Sequence, residues 1–367
     1  MSTHWRRLAE FPGDTSMSND EMLILKGQEI FSLLEGQEKT LVDIVRKAYE
    51  AHGRGESSLP HSTFLRFPDD ESNRIIALPA YLGGEFETAG VKWVSSFPGN
   101  IRKRMERASA VVTLNSPRTG RPEAVMEGSI ISAKRTAASA ALAARYFHNG
   151  HKNSRAGIIG TGLINFEIIK SLRATCPEVD SFVVFDIDEA RAAQFKEVCV
   201  DTFDRIEVRV EKDLTAVLKK CALISFATTA ARPYVSDLSA CPADATILHV
   251  SLRDLSPQVI LSADNVTDDI SHVCRAETSL HLAEQAVGHR DFIRCTLADI
   301  LLGNAPIRKN AESRVIFSPF GLGVLDLAVG RYVYDLALRR GVGTVLDGFF
   351  PAPWTKQPHT STVLPLG

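Results

Sequence analysis

Ala156-Gly-Ile-Ile-Gly160-Thr-Gly162-Leu-Ile-Asn165 holds two glycines between two different periodicities. Ile158 and Ile159 are apolar and β-branched, as a buried parallel strand requires, whereas Leu163, Ile164, Ile168, Ile169 and Leu172 recur at helical spacing. Between them Gly160 and Gly162 let the chain turn sharply, bringing backbone amides against a pyrophosphate at the following helix N-terminus. Asp186 closes the apolar run Phe182-Val-Val-Phe185. It lies about 20 residues beyond the glycines, where a carboxylate accepts from both ribose hydroxyls and repels a 2′-phosphate. NAD is therefore expected rather than NADP, although Arg191 stands near enough to meet a phosphate from a rearranged loop. The third glycine position of the fingerprint carries Asn165, a larger side chain to be fitted at the helix–strand contact.

Outward from this turn, strand and helix alternate from Ala156 to about Asp269, as a doubly wound sheet requires. A helix is expected over residues 189–200, a strand over 206–210, a helix over 214–220 and buried strands over 222–227 and 245–250. Residues 259–261 and 266–267 can add one short crossover and strand. The preceding stretch has a helix carrying Leu41, Ile44, Val45 and Ala48, then candidate strands over 63–67, 74–78, 90–95 and 108–114 without intervening helices. Ser116-Pro-Arg-Thr-Gly120 has the chemistry of a turn folding the last strand back onto residues 122–126. The fold class is α/β: a Rossmann NAD-binding domain over residues 136–319 and an α+β substrate-binding and dimerisation domain over 21–135. An alanine-rich helix over 129–147 joins them, and the C-terminal segment 320–345 is expected to return to the first domain. Residues 1–20 and 350–367 show no sustained apolar period and are expected to be flexible tails.

Bulk properties narrow the function. With 367 residues, 44% of them apolar and 23% charged, two domains are the natural expectation. Lys plus Arg total 42 against 44 for Asp plus Glu, so no net field favours nucleic acid or an anionic membrane. No apolar stretch approaches the roughly 20 residues that span a bilayer, and the polar start Met1-Ser-Thr-His-Trp-Arg-Arg lacks a signal-peptide apolar region. A cytoplasmic location is expected. Six dispersed cysteines form no Cys-x-x-Cys pair, ten histidines show no metal-ligand spacing, and there is no Gly-x-Ser-x-Gly elbow. A metal site or a hydrolase triad is not expected.

Several residues can carry chemistry. Lys92 in Gly90-Val-Lys-Trp-Val94 is a cation among apolar residues of a strand. Desolvation there lowers its pKa for proton transfer, a paired carboxylate keeps it charged as an anion binder, and an outward face lays its stem on Trp93. Arg135 in the alanine-rich helix and Arg66 between Phe64 and Phe67 are either anchored forks for a carboxylate or solvated side chains. Asp254 follows the strand ending near Val250, at the carboxyl end of the sheet where ligands bind. It can polarise a water or hold a substrate amine, or simply make a turn before Ser256-Pro257. The run Arg102-Lys-Arg104-Met-Glu-Arg107 offers a second anion site or a solvated face.

Together these residues resemble the ornithine cyclodeaminase/μ-crystallin family, from about Leu59 to Ala337. Arg66, Gly90-Val-Lys92, Arg135-Thr-Ala-Ala-Ser139, Gly157-Ile-Ile-Gly-Thr-Gly162, Asp186, Asp254 and Gly321-x-Gly-x-x-Asp326 fall in its order and approximate spacing. The resemblance implies a homodimer through the first domain. It implies a substrate carboxylate held by Arg66, Lys92 and Arg135, and Asp254 acting beside the substrate nitrogen or a water. It implies NAD held by Thr136, Gly160, Gly162, Leu163, Ile164, Asp186, Thr228 and Asp326.

Within the family, Arg74-Ile-Ile-Ala-Leu-Pro79, Leu82-Gly-Gly84 and Lys103-Arg-Met-Glu-Arg-Ala-Ser109 are similar to the dehydrogenases that make 2,3-diaminopropionate for siderophores and related products. Such enzymes cleave N-(1-amino-1-carboxy-2-ethyl)-glutamate with NAD, and a cysteine-synthase-like PLP enzyme is the implied pathway partner. Arg104 and Arg107 are candidates for a further carboxylate. Ile76 stands where ornithine cyclodeaminases carry a glutamate, which argues against ring closure on ornithine. Gly323 replaces a common alanine. Alternatives within the resemblance are a cyclodeaminase, an alanine dehydrogenase, a ketimine reductase, or a crystallin-like protein that binds NAD(P)H without catalysis.

Overall fold

Ser154–Ile159 is a strand whose successive side chains enter opposite cores in the computed structural model, which describes residues 5–7, 20–148, 154–351 and 354–356. Ile158 packs on one face with Val184, Leu248 and Phe317, and Ile159 on the other with Val183, Ile247 and Ile316. Two apolar faces demand helices on both sides, which is the doubly wound arrangement.

The sheet has eight strands. Their order is Glu207–Val210, Val179–Phe185, Ser154–Ile159, Leu223–Phe226, Thr246–His249, Val315–Ser318, Asp264–Thr267 and Ile293–Thr296. All are parallel. Strand order reverses beside Ser154–Ile159, and the crevice at such a switch point is where ligands bind. Two strands were not expected from the sequence, Ile293–Thr296 at the edge and Val315–Ser318 inside the sheet. Each has four residues, too few for period alone to separate strand from helix.

The second sheet is nine-stranded, with a path running Trp5–Arg7, Thr344–Leu346, Met22–Leu25, Pro122–Glu127, Ala108–Asn115, Thr88–Ser96, Asp70–Leu82 and Ser57–Ser58. Thr63–Phe67 also pairs with Asp70–Leu82. Pairing is antiparallel except where Met22–Leu25 runs parallel to Pro122–Glu127. The strand expected over 74–78 extends over Asp70–Leu82, because Pro79 removes only one donor from a long hairpin arm. Trp5–Arg7, within the start expected to be flexible, pairs with Thr344–Leu346, whose edge offers unpaired backbone groups. The rest of residues 1–19 and most of 350–367 lie outside the described residues.

Two helices bind the sheets together. Ser129–Phe147 is more than a spacer: Ala137, Ala138, Ala140, Ala141, Ala143 and Ala144 are completely buried. Their small side chains let it pack on the helices Glu38–Gly53, Leu163–Thr175 and Gly323–Arg340 at once. Gly323–Arg340 starts after the parallel strand Val315–Ser318 and lies on the antiparallel sheet. A Cβ at Gly323 would come 3.0 Å from the Leu78 carbonyl oxygen, so glycine in place of alanine lets the helix begin close to that strand.

Candidate active site

The glycine turn has the shape a dinucleotide needs. Gly160 has φ +91°, and a Cβ there would meet the Ala227 carbonyl oxygen at 2.5 Å, so only glycine fits the turn against that loop. Gly162 caps the helix Leu163–Thr175 without a side-chain hydrogen bond, and a Cβ on it would meet open space. The Gly160 and Thr161 amides are already bonded, to the Phe185 carbonyl and to Asp186, so it is the uncapped positive helix end at Gly162 and the room beside it that fit a pyrophosphate. Leu163, 53% exposed in the first helical turn, and Ile187, 94% exposed beside Asp186, leave apolar surface for the cofactor's rings. Ile164 instead packs against the core, and the Thr136 hydroxyl donates back to the Ser132 carbonyl at 2.7 Å.

Asp186 is half-buried and accepts from the Thr161 backbone N–H at 2.9 Å and the Thr161 hydroxyl at 2.6 Å. Burial opposes its charge, yet these bonds and the Asp188 N–H hold its pKa below the ordinary carboxylate value. It is therefore anionic at neutral pH.

Asn165, the departure at the third glycine position, is fully buried. Its Nδ2 donates to the Ile159 and Gly160 carbonyls at 2.9 and 2.7 Å, and its Oδ1 accepts from Ser225 Oγ at 2.7 Å. It fastens the turn to the neighbouring strand, a role that a glycine could not perform.

The cation centre is assembled from three elements. Lys92, on the strand Thr88–Ser96, is 2% exposed; its Nζ lies 2.7 Å from Asp326 Oδ2 and 3.1 Å from Ser132 Oγ. Arg135 Nε donates to Asp326 Oδ1 at 2.9 Å, and its guanidinium lies against Gly321, where a Cβ would come within 2.8 Å. The sequence placed Asp326 with the cofactor. Its carboxylate, 0% exposed, instead has both oxygens engaged by Lys92 and Arg135. Burial, and then Arg135, push Lys92 down to about 8, against the opposing pull of Asp326. One carboxylate between two cations leaves one positive charge in excess.

Asp254 is also completely buried. Its Oδ1 accepts from Thr228 Oγ1 at 2.5 Å and Tyr234 OH at 3.0 Å, and its Oδ2 accepts from Ser251 Oγ and lies 3.3 Å from His249 Nε2. Burial alone would raise its pKa. The bonds with His249, Ser251 and Thr228 outweigh it and keep the carboxyl below the usual range. A carboxylate offers about four acceptor positions, and the hydroxyls of Thr228, Tyr234 and Ser251 take three of them, while His249 Nε2 also accepts from the Asp254 backbone N–H at 3.2 Å. Tyr234, 46% exposed, carries the network outward. His249 Nδ1 lies 3.1 Å from Ser318 Oγ, linking the network to the loop that bears Gly321.

The remaining candidates are dispersed. Arg66 is exposed and stands opposite Arg74 in register, four residues from the row of Leu78 and Lys92 and so roughly 13 Å along the strand. Arg107 Nη1 donates to Ser96 Oγ at 2.7 Å. Arg104 is exposed and ends a short 3-10 helix with φ 56°; no hydrogen bond or ion pair ties it to the others among the described residues. Sequence reading missed Asn165 as a fastener, together with Ser251, Tyr234 and His249. The available signal was position, since His249 ends a strand and Ser251 and Tyr234 follow strand ends on the ligand side of the sheet.

A glycine turn at the switch point, an anionic Asp186 beside it and a buried Lys92–Asp326–Arg135 cluster suit one class, the NAD-dependent oxidoreductases of amino and imino acids. The family profile described as Ornithine cyclodeaminase/mu-crystallin family matches residues 23–341, and the chain belongs to that family. It is 29% identical over 343 residues to N-((2S)-2-amino-2-carboxyethyl)-L-glutamate dehydrogenase of Staphylococcus aureus, covering 90% of this chain and 99% of that one. The structure of Thermococcus litoralis Delta(1)-pyrroline-2-carboxylate reductase with NADH and L-proline superposes with a TM-score of 0.80 at 27% identity, over 88% of this chain and 99% of that one. An archaeal alanine dehydrogenase dimer with bound NAD gives a TM-score of 0.79 at 27% identity, covering 90% of this chain and all of that one. Among the described residues no helix is long and apolar enough to cross a membrane.

Proposed function

We propose that this protein oxidises N-(1-amino-1-carboxy-2-ethyl)-glutamate with NAD and water, yielding 2-oxoglutarate, 2,3-diaminopropionate and NADH. The observation that carries an amino acid substrate is the pair Lys92 and Arg135 sharing the single counter-ion Asp326. The choice of conjugate is supported by the 29% identity to the Staphylococcus aureus enzyme across nearly all of its length, and by Ile76 in place of a glutamate.

NAD, when bound, accepts the hydride from the glutamyl Cα. The protein's part is placement and charge. Lys92 and Arg135 hold the α-carboxylate and so fix the direction of the Cα–H bond. Thr161 and Asn165 keep Asp186 and the glycine turn rigid. Water then attacks the substrate imine, the carbon–nitrogen bond breaks, and the proton passes to the departing amine. Asp254 serves this step when Thr228 or Tyr234 turns from it towards the substrate, freeing one carboxylate oxygen. Arg107 contributes to the recognition of a further carboxylate.

The conjugate itself requires an enzyme that joins the glutamate nitrogen to a three-carbon amino acid. We assign that step to a cysteine-synthase-like PLP enzyme, and the diaminopropionate to a siderophore or another natural product. Incubation with the conjugate and NAD should raise absorbance at the NADH band in step with release of diaminopropionate and 2-oxoglutarate. No NADH from the conjugate, with turnover of alanine or of a cyclic imine instead, would assign a different reaction of the family.

The outer face of the antiparallel sheet suits a second copy of this chain. Trp93 and Val111 are cross-strand partners, and with Leu65 they are 41–45% exposed, an apolar group on a flat surface. Trp93→Glu should convert a dimer to monomers in analytical ultracentrifugation; a wild-type protein that sediments as a monomer removes this part of the proposal.

A further inference from the structure

One row of the antiparallel sheet concentrates positive charge away from the Lys92 centre. Arg66 and Arg74 are direct cross-strand partners, Arg74 is opposite Ser96, and Ser96 is opposite Ala108. Directly opposed residues project to one face, so two guanidinium groups stand side by side. Arg107 adds a third through its bond to Ser96. A fourth comes from the other sheet: Arg253, beside Asp254, has its Nη2 fixed on the Ala276 carbonyl at 2.6 Å. That carbonyl is presented by a loop in which Ala276 and Glu277 both hold left-handed backbones, with φ 53° and 55°.

Glu106 offsets Arg107 and Glu277 with Asp254 offsets Arg253, but among the described residues no acidic group acts on Arg74 at the centre of the row. Like charges at opposed positions destabilise a sheet. Arg74 Nε is buried with no hydrogen-bond partner, a donor whose unmade bond costs free energy. Burial first, then Arg253, Arg107 and Arg66, push Arg74 below the ordinary guanidinium value, and every charged group acting on it is a cation. An anion placed here would meet an unused donor and relieve the repulsion.

The row also has the right orientation. Arg74, Ile76 and Leu78 alternate onto one face of their strand, and their partners Ser96, Val94 and Lys92 share it. The row is therefore coplanar with the α-carboxylate receptor and roughly 13 Å from it, four residues along the strand. A substrate anchored at Lys92 and long enough to extend along this face would bring a second carboxylate to it.

We propose that Arg74, flanked by Arg107 and Arg253, forms the subsite for a distal carboxylate, selecting di- and tricarboxylic amino acids and their 2-oxo acids over monocarboxylic ones. The inference rests on the amino acid oxidoreductase reading of the site and deepens it. Arg74 and Arg253 belong to this centre and not to the Lys92 receptor.

The test is isothermal titration of the NADH-loaded protein with 2-oxoglutarate and with pyruvate. Wild type should bind 2-oxoglutarate more tightly. Arg74→Gln should weaken 2-oxoglutarate about thirtyfold while leaving pyruvate unchanged, the loss expected for a hydrogen bond to a charged group. Arg253→Gln, on a different element, should act in the same direction, and Arg74→Lys should recover part of the loss. Removing Arg74 also removes repulsion and an unpaired donor, so the melting temperature without ligand should stay level or rise, which a merely structural arginine would not allow.

Equal binding of the two acids by wild type, or unchanged 2-oxoglutarate binding in both glutamine variants, overturns the subsite. So does a parallel loss for pyruvate. The reaction assigned above fails separately: no NADH from the conjugate, together with an intact dicarboxylate preference, overturns that reaction and leaves the subsite standing.

Discussion

Asp254→Asn should lower kcat by about 10²- to 10⁴-fold, the range of a lost general acid–base group, and leave NADH affinity unchanged. The substitution preserves shape, yet it replaces an acceptor by an amide that also donates. Thr228, Tyr234 and Ser251 all direct hydroxyl groups at this carboxylate. At least one must then rotate away, and the negative charge that those bonds stabilise is gone. The glycine turn and Asp186 are untouched, which is why cofactor affinity separates from turnover. Steady-state kinetics and NADH fluorescence titration measure the two quantities. A variant that turns over normally would make Asp254 a buttress for the loop, since its backbone carbonyl also accepts from the Tyr234 and Val235 N–H groups.

Loss of the Lys92 charge has the second large effect, and pH exposes it in the unmodified protein. Lys92 sits at about 8 because burial and Arg135 disfavour its charge. Below that pH the ammonium attracts a substrate carboxylate. Above it the neutral amine does not, so kcat/KM should fall about tenfold per pH unit on the alkaline side, a limb that reports the free enzyme. Lys92→Met should lower kcat/KM by about 10²-fold at neutral pH and flatten that limb, because a hydrogen-bonded ion contact is lost and nothing remains to titrate. An unchanged alkaline limb in the variant would assign the titration to another group. The same displacement affects stability with a definite sign. The folded value lies below the unfolded 10.5, so protonated Lys92 opposes folding below about pH 8, and this penalty is relieved as pH rises from about 8 towards 10.5.

What could be read from the sequence was what local backbone geometry dictates. Gly160 announces a turn that other residues cannot make, and Asp186 follows at a distance set by one helix and one strand. Lys92 and Arg135 stand out because cations are expensive among apolar neighbours. That they share Asp326 as counter-ion was not legible, because a contact between residues 191 positions apart leaves no periodic trace. The importance of Arg74 was hidden for a related reason: it arises from register, which sets Arg66 opposite it, and register is fixed by the whole hairpin. Asn165 looked like an imperfection because the fingerprint says which residue leaves space there, and not which residue could use that space for hydrogen bonds. Val315–Ser318 was lost to its brevity, although it lies inside the sheet.

The position of Asp326 on the helix Gly323–Arg340 gives the site a schedule during synthesis. Arg135 leaves the ribosome 191 residues before the carboxylate it pairs with, a wait of about 10 to 40 s at 5–20 residues per second. Throughout that interval the strand with Lys92 and the helix with Arg135 carry uncompensated charge that resists burial. The nascent antiparallel sheet is thereby discouraged from closing over its own receptor early. Charge neutralisation comes from the element that also joins the two sheets, so a chain released before Asp326 emerges would have neither a finished core nor a place for its substrate.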